Sequence, residues 1–337
     1  MSRILPGCLV VIVAILAIAQ DAAALKPESG HPATPADYGI IFEEVAFQSA
    51  DGVTLAGWFY PAQDTAGIAT RMVGSIPIPD HLKVGPRAYA TLDDQRRPTI
   101  VIGCGEAGNM SYLISHAFEL FTHGYNVFTF DCRGFGTSGS WSTDEDRLSY
   151  SEYLLDYNAA IDYTLGRDEV DADKIGLFGF STGGYLAFAA AAMHPEVSAI
   201  SVRGIITSFD DVLPILREQQ PGRAFSSPPD YPRDLLPLNA APRLSIPVFL
   251  IVGEKDLRTP PWMSQRVFEN LAGPKELWIV TGATHGGQTG PEFAARTEFF
   301  QRLRRFFRES LSGQNGITAR LGCRQVSRRT AICGGWS

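Results

Sequence analysis

The sequence has few cysteines and no pattern of paired metal ligands. Five cysteines occur in 337 residues, and none has a second cysteine or a histidine at the close spacing of a zinc site. The sequence therefore gives no indication of a structural zinc site, and we expect no metal in this protein.

Excess positive charge is also absent. Lysine and arginine number 29 against 36 aspartates and glutamates, the formal net charge is −7, and no basic stripe crosses the body of the chain. Because nucleic-acid binding depends on clustered positive charge, we expect no nucleic-acid partner. Charged residues make up 19% of the chain and hydrophobic residues 45%, which favours a sizeable core over disorder.

Hydrophobic runs approaching membrane-spanning length are missing everywhere except at the N-terminus. There, Arg3 precedes an apolar run from Leu9 to Ala19 that ends in the small-x-small pattern Ala17-Ile18-Ala19. This layout predicts a secretory signal peptide over residues 1–19, with a second candidate cleavage point after Ala24. We expect an exported protein, secreted or periplasmic, with no stable membrane span after signal removal; the alternative is an uncleaved N-terminal membrane anchor.

Export would place the remaining cysteines in an oxidising compartment, where disulfides persist. Cys323 and Cys333 are close enough in sequence to close a small ring. Cys104 and Cys132 each follow one of two neighbouring apolar strands. We therefore hypothesise the disulfides Cys323–Cys333 and Cys104–Cys132; two buried thiols are the alternative for the second pair.

The chain after the signal peptide divides into a leader, one large domain and a tail. Residues 20–37 are rich in alanine and proline and predict a leader. Residues 38–310 alternate between strand and helix patterns, which predicts one α/β domain. Residues 311–337 contain four arginines outside the last helix pattern and no acidic residue, and they predict a loosely ordered basic tail.

Two segments interrupt the alternation. Residues 62–97 have no sustained period and predict a long insertion, a feature often used as a lid or binding loop. Residues 208–244 combine many prolines with scattered aromatics and predict a small cap. We expect the large apolar side chains of this cap to line an apolar pocket; they are Phe209, Leu213, Leu216, Phe225 and Tyr231.

The strand and helix patterns predict a mostly parallel sheet. Two antiparallel strands come first and are joined by the hairpin turn Asp51-Gly52. Buried strands separated by helices follow, so we predict an eight-stranded sheet with helices on both faces. The predicted strands are 40–47, 53–60, 99–103, 127–130, 175–178, 204–207, 248–252 and 276–280.

One turn of this pattern, Gly179-Phe180-Ser181-Thr182-Gly183, follows a buried strand and opens an alanine-rich helix. It matches the Gly-x-Ser-x-Gly pattern of a nucleophile elbow, a sharp turn that exposes the serine at a helix N-terminus. The two glycines leave room for the flanking chain to pass closely. The pattern predicts Ser181 as a nucleophile; a tight turn with an exposed serine is the alternative.

A serine nucleophile needs a base to take its proton and an acid to orient that base. Of the six histidines, only His285 directly follows a predicted strand, and glycines flank it, so it is the candidate base. The acid should follow another strand between the serine and the histidine, and Asp256 satisfies both conditions. The alternatives are Glu254, Asp210 and Asp211.

The oxyanion that forms when a serine attacks a carbonyl needs two backbone N–H donors. One is expected from Thr182, the residue after the candidate nucleophile. The other is expected from the loop Cys104-Gly105-Glu106-Ala107-Gly108-Asn109, with Glu106 as the chosen residue.

Taken together, these motifs resemble the α/β-hydrolase-fold serine hydrolases. The resemblance spans about residues 42–307. It rests on the order and spacing of the segments 104–109, 131–138, 179–184, 253–256 and 282–285. Residues 104–109 are similar to the His-Gly-Asn-Ala-Gly-Asn loop of a subgroup that includes lipid and thioester hydrolases and serine-aminopeptidase-like members. Cys104 and Glu106 replace the histidine and the first asparagine of that loop, and a carboxylate beside an oxyanion costs stabilisation unless it is paired.

The resemblance implies a serine hydrolase that cleaves carboxylic esters or thioesters of small molecules through an acyl-enzyme, and the signal-peptide pattern predicts that it is exported. Neither a metal nor an organic cofactor is expected for that chemistry. The apolar cap favours an acyl or aromatic group over a charged peptide. The alternatives are a serine peptidase or acyltransferase with the same triad, and a non-catalytic binding protein of this fold.

Overall fold

The computed structural model describes residues 25–64, 90–91, 95–103 and 105–312. Several sequence predictions concern segments outside the described residues. They are the signal peptide 1–19, the start of the leader, most of the insertion 62–97, Cys104 of the Cys104–Cys132 pair, nearly all of the tail 311–337, and the Cys323–Cys333 pair. No helix within the described ranges has the length and apolar character needed to cross a membrane.

The described elements alternate between strands and helices through most of the chain. The strands are β1 Lys26–Pro27, β2 Glu43–Gln48, β3 Thr54–Tyr60, β4 Gln63–Asp64, β5 Ala90–Thr91, β6 Arg97–Gly103, β7 Ala107–Gly108, β8 Asn126–Phe130, β9 Val170–Phe180, β10 Val197–Arg203, β11 Val248–Gly253 and β12 Lys275–Val280. The helices are α1 Ile114–Phe121, α2 Glu152–Leu165, α3 Thr182–Met193, α4 Phe209–Gln219, α5 Pro237–Ala240, α6 Pro261–Asn270, α7 Pro291–Ala294 and α8 Arg296–Leu311.

Eight of these strands form the main sheet, in the order β12-β11-β10-β9-β6-β8-β3-β2. Neighbours from β12 to β8 pair in parallel, whereas β3 is antiparallel to β8 and β2 to β3. The prediction of a mostly parallel, eight-stranded α/β-hydrolase sheet is therefore confirmed.

Apolar side chains cover both faces of the sheet. In β6, Ile100 and Ile102 face a core that includes α1 and α8, whereas Val101 faces the other core with α2, α3 and α6. Because successive residues of a strand point to opposite faces, a continuous apolar run is what a strand buried on both sides requires. The centre of the sheet, where β9 carries the elbow, is thus buried on both faces.

Two predicted boundaries are wrong. The strand expected at 204–207 is β10, which ends at Arg203, because Gly204 turns the chain with a φ of +67°. The sequence pattern also predicts one last helix from about Glu292 to Ser310, whereas the structure divides this segment into α7 and α8 at Ala295, whose φ of −136° and ψ of 43° are not helical.

The segment 208–244 contains α4 and α5 and packs against α3. All five apolar side chains expected to line its pocket are buried in the core. Phe209 and Tyr231 lie with their ring centroids 5.6 and 6.1 Å from that of Tyr185 in α3. These side chains pack with one another and against α3, and the expectation that they line an apolar pocket stays a prediction.

The described part of the leader also packs into the domain. Leu25 is fully buried, and β1 pairs in parallel with β7 in the loop that follows β6. Further along, His31 Nε2 lies 2.7 Å from the buried Asp131 Oδ2. Composition alone suggested a leader because alanine and proline are common in such segments, but residues 25–38 belong structurally to the domain.

Candidate active site

The turn between β9 and α3 has the geometry of a nucleophile elbow. Ser181 has a φ of +52° and a ψ of −116°, and no other non-glycine residue in the described ranges has a positive φ. A Cβ on Gly179 would lie 2.4 Å from the carbonyl oxygen of Gly183, and one on Gly184 would lie 2.4 Å from Val202 Cγ1. Such strain persists only where the surrounding structure enforces it, and it is concentrated at functional sites.

The structure brings Ser181, His285 and Asp256 together. His285 Nε2 lies 3.1 Å from Ser181 Oγ, and His285 Nδ1 lies 2.8 Å from Asp256 Oδ2. Each residue follows the carboxyl end of a parallel strand, β9, β12 or β11. Both distances lie within the range that permits proton transfer from a hydroxyl to an oriented imidazole.

Asp256 is held by a network that the sequence did not indicate. Its side chain is buried, and Oδ1 accepts the backbone N–H groups of Arg258 at 2.9 Å and Thr259 at 2.8 Å. The Thr259 hydroxyl donates to Asp256 Oδ2 at 2.9 Å and lies 3.1 Å from His285 Nδ1. Thr259 therefore fixes the carboxylate that faces the imidazole.

The alternative acids make other contacts. Glu254 accepts the backbone N–H of Gly282 at 2.8 Å, and Asp210 pairs with Arg233 at 3.1 Å. Asp211 accepts the hydroxyl of Thr207 at 2.6 Å. None of these described contacts reaches the imidazole, so Asp256 is the acid that the geometry favours.

Arg203 supports the loop that carries His285, and sequence reasoning missed it. Its Nη1 donates to the His285 carbonyl oxygen at 2.7 Å, and its Nη2 lies 2.9 Å from Glu292 Oε1. The guanidinium carbon lies 3.5 Å from the ring centroid of Phe180, next to Ser181. Burial lowers the pKa of Arg203, although the nearby Glu292 carboxylate opposes this effect. The sequence signal that could have identified Arg203 is a positively charged residue at the end of the apolar strand β10.

The loop expected to supply the second oxyanion donor lies against the elbow. A Cβ on Gly105 would lie 3.2 Å from the carbonyl oxygen of Phe180. The Glu106 carbonyl accepts the backbone N–H of Lys26 at 2.7 Å, so β1 fixes the loop from its outer side. The N–H of Thr182, at the start of α3, has no intrahelical acceptor and is available to a ligand.

The Glu106 side chain is buried beside Ser181, the candidate nucleophile. Its Oε2 accepts the Thr182 hydroxyl at 3.4 Å, and its Oε1 lies 3.4 Å from Arg258 Nε. Burial by itself raises the pKa of this carboxyl, but Arg258, His285 and the Ser181 hydroxyl together lower it below its usual value. The site therefore holds a negative charge close to where an oxyanion would form.

Asp131 connects the N-terminal segment to the oxyanion loop. It is fully buried and accepts the backbone N–H of Met110 at 2.6 Å in addition to its contact with His31. Asn109 in turn donates to the carbonyl oxygens of Glu28 and Gly30. The segment 131–138 thus has a structural role, and the N-terminal residues are part of the support for the site.

A profile of the prolyl oligopeptidase family matches residues 112–314. Among curated relatives, an uncharacterised protein of Mycobacterium tuberculosis, Rv2307c, is 26% identical over 267 residues, which is 79% of each chain. The alpha/beta hydrolase domain-containing protein WAV2 of Arabidopsis thaliana is 27% identical over 62% of this chain and 59% of its own.

Solved structures agree on the fold. The esterase Pf2001 of Pyrococcus furiosus superposes with a TM-score of 0.62 and 20% identity, covering 85% of this chain and 97% of its own. A puromycin-hydrolyzing peptidase of Mycobacterium tuberculosis superposes with a TM-score of 0.59 and 18% identity, covering 82% of this chain and 40% of its own. Because the family profile matches more than half of the sequence, this α/β-hydrolase-fold protein belongs to the prolyl oligopeptidase family.

Proposed function

We propose that the protein is a serine hydrolase that cleaves carboxylic esters or thioesters of small molecules through an acyl-enzyme intermediate. The observation that carries this proposal is the unbroken chain of contacts from Ser181 Oγ through His285 to Asp256, at 3.1 and 2.8 Å. The strained elbow, which presents the serine at the start of α3, supports the same assignment.

In the proposed first step, Ser181 Oγ attacks the substrate carbonyl while His285 Nε2 takes the hydroxyl proton. Asp256 accepts the Nδ1–H of His285, which keeps the imidazole in the required tautomer and stabilises its protonated form. The backbone N–H groups of Thr182 and Glu106 hold the developing oxyanion.

Collapse of the tetrahedral intermediate expels the alcohol or thiol, which receives its proton from His285. Water then attacks the acyl-Ser181 ester, and His285 takes a proton from that water. The second tetrahedral intermediate collapses, His285 returns the proton to Ser181 Oγ, and the carboxylic acid leaves. Apart from substrate and water, these steps use only the residues named.

A fluorophosphonate probe tests this proposal directly, because it reacts with an activated serine. Labelling of the folded protein and its loss in Ser181→Ala are the expected results, with turnover falling on the order of 10⁶-fold. The thermal unfolding temperature of the variant should stay close to that of the wild type, which separates chemistry from folding. Absence of labelling in folded wild-type protein would instead favour a non-catalytic binding role.

A serine peptidase or acyltransferase is the second candidate, since it uses the same residues with another leaving group or acceptor. Two observations favour it: the prolyl oligopeptidase profile, and the likeness to a puromycin-hydrolyzing peptidase. Parallel assays on p-nitrophenyl esters and aminoacyl anilides distinguish the two, and faster amide turnover would overturn the ester preference.

We also propose that the protein is exported. The N-terminal pattern of Arg3, the apolar run Leu9 to Ala19 and the small residues after it supports this. Mass spectrometry of the mature protein should place its N-terminus near residue 20 or 25. The same spectra, recorded before and after reduction and alkylation, test the two hypothesised disulfides.

A further inference from the structure

The position of the Glu106 carboxylate is the feature that the proposed function leaves unexplained. The side chain is buried, its Oε2 is 3.4 Å from the Thr182 hydroxyl, and Thr182 adjoins the nucleophile. A negative charge there repels the oxyanion that every acyl transfer to Ser181 must form. In a hydrolase of neutral substrates this charge would lower the rate, so its presence calls for a compensating positive charge.

The protein compensates this charge only in part. Arg258 approaches Glu106 through Nε alone, at 3.4 Å, which is longer than the usual charge-assisted hydrogen bond. Arg258 Nη2 is buried and has no hydrogen-bond partner among the described residues. A bidentate Arg–carboxylate pair would have satisfied both groups, and this arrangement does not form one. Glu106 therefore retains capacity to accept a further donor.

The loop holds the carboxylate in place for a ligand. Its backbone is pinned by the Lys26 N–H on the Glu106 carbonyl, and Asn109 anchors the end of the loop to the N-terminal segment. A carboxylate on a fixed backbone binds a cation without having to be ordered first, which lowers the cost of binding.

Substrate geometry indicates which cation fits. A carbonyl carbon undergoing attack must lie beside Ser181 Oγ, and an α-ammonium is separated from that carbon by only one intervening atom. Such a group would lie within reach of a carboxylate that contacts Thr182.

We propose that Glu106 is the binding site for the α-ammonium group of the substrate, and that the enzyme acts on α-aminoacyl esters or amides. This inference rests on the proposed serine hydrolase function and adds the substrate class. The ammonium completes the neutralisation of the carboxylate when the substrate is bound, so the oxyanion forms beside a paired carboxylate instead of one that Arg258 compensates only in part. N-acylated and uncharged acyl groups leave that charge in place and react more slowly.

A matched substrate pair tests the proposal: L-leucine methyl ester, assayed at a pH where its amine is protonated, and N-acetyl-L-leucine methyl ester. Wild-type kcat/KM should be about 10- to 100-fold higher for the free amine, the range expected for a charge-assisted hydrogen bond. Glu106→Gln should lose this preference, so that its kcat/KM values for the two esters become similar. Glu106→Asp, which keeps the charge, should retain part of the preference.

The control is Glu196→Gln, which removes one charge from an exposed position near the far end of α3. It should leave both rates unchanged. Equal losses on both esters in Glu106→Gln would make Glu106 a structural residue, and a wild-type preference for the acetylated ester would also overturn the proposal. Fluorophosphonate labelling of Ser181 in each variant separates these outcomes from failure of the proposed function, which would abolish labelling altogether.

Discussion

Replacement of Arg203 by methionine tests whether a buried cation positions His285, the proposed catalytic base. The guanidinium contacts both the His285 carbonyl and Glu292, and the side chains of Arg203 and Glu292 are each only 5% exposed. Methionine keeps much of the side-chain volume but removes the charge and the donor. The variant therefore leaves the Glu292 carboxylate buried without its partner.

The expected loss of stability is large. Removing one member of a buried ion pair costs about 3–5 kcal/mol, because the remaining charge stays desolvated. A typical domain is stable by only about 5–15 kcal/mol, so this loss is a considerable share of the total. Urea denaturation of Arg203→Met should show a clearly lower midpoint than the wild type.

The double variant Arg203→Met/Glu292→Leu separates stability from positioning. It removes both charges, and apolar replacements of a buried pair are often close to neutral, so most of the lost stability should return. The donor to the His285 carbonyl stays absent, however. Since a misplacement of about 1 Å in a catalytic group can cost on the order of 10²-fold, kcat should remain about 10- to 100-fold low with KM little changed.

Two results would refute this reasoning. A double variant with wild-type kcat would mean that His285 is held by other contacts. An Arg203→Met single variant with unchanged stability would mean that the pair with Glu292 is not buried as described. Circular dichroism of each variant checks that the comparison is made between folded proteins.

Three further predictions concern the elbow, the acid and a remote ion pair. Asp256→Asn should fold normally but lose about 10⁴-fold in kcat, because the amide favours the wrong imidazole tautomer; ester turnover measures this. Gly179→Ala should lower the unfolding temperature, since its Cβ would lie 2.4 Å from the Gly183 carbonyl oxygen. Arg133 lowers the pKa of Asp51 from 3.8 to about 2 by hydrogen bonding, with burial opposing. The stabilisation from Asp51 should therefore be complete above about pH 4 and be lost as the pH falls towards 2. Asp51→Asn should flatten the dependence of the urea midpoint on pH in that range.

The sheet and the central contacts of the site were predictable from sequence because they follow from local patterns. A strand that is buried on both faces has a continuous run of apolar residues in its sequence. The turn after β9 has glycines at positions where a Cβ would clash with neighbouring atoms. Parallel strands bring their carboxyl ends to one edge, so order along the chain was enough to select His285 and Asp256. The structure places both in contact with the network around Ser181.

The supporting groups were not predictable in the same way, because they depend on contacts between distant parts of the chain. Arg203 and Glu292 are paired by the fold, and neither belongs to a local motif. Thr259 acts through the side chain of Asp256, for which sequence offers no pattern. The apolar residues of 208–244 show the converse difficulty: composition indicated that they are apolar but not which surface they cover.

The contacts of the N-terminal segment bear on when the site becomes complete. Glu28 and Asn109 are 81 residues apart, and His285 Nε2 contacts Ser181 across 104 residues. Contacts between residues this far apart in sequence form late in folding, because the entropic cost of closing a long loop comes before the contact can stabilise the fold. The segment that contains Glu28 is synthesised before the loop that contains Asn109, and His285 is synthesised after both. Until residue 285 has been synthesised, the chain lacks the imidazole that contacts Ser181, so the proposed site can be completed only late in synthesis.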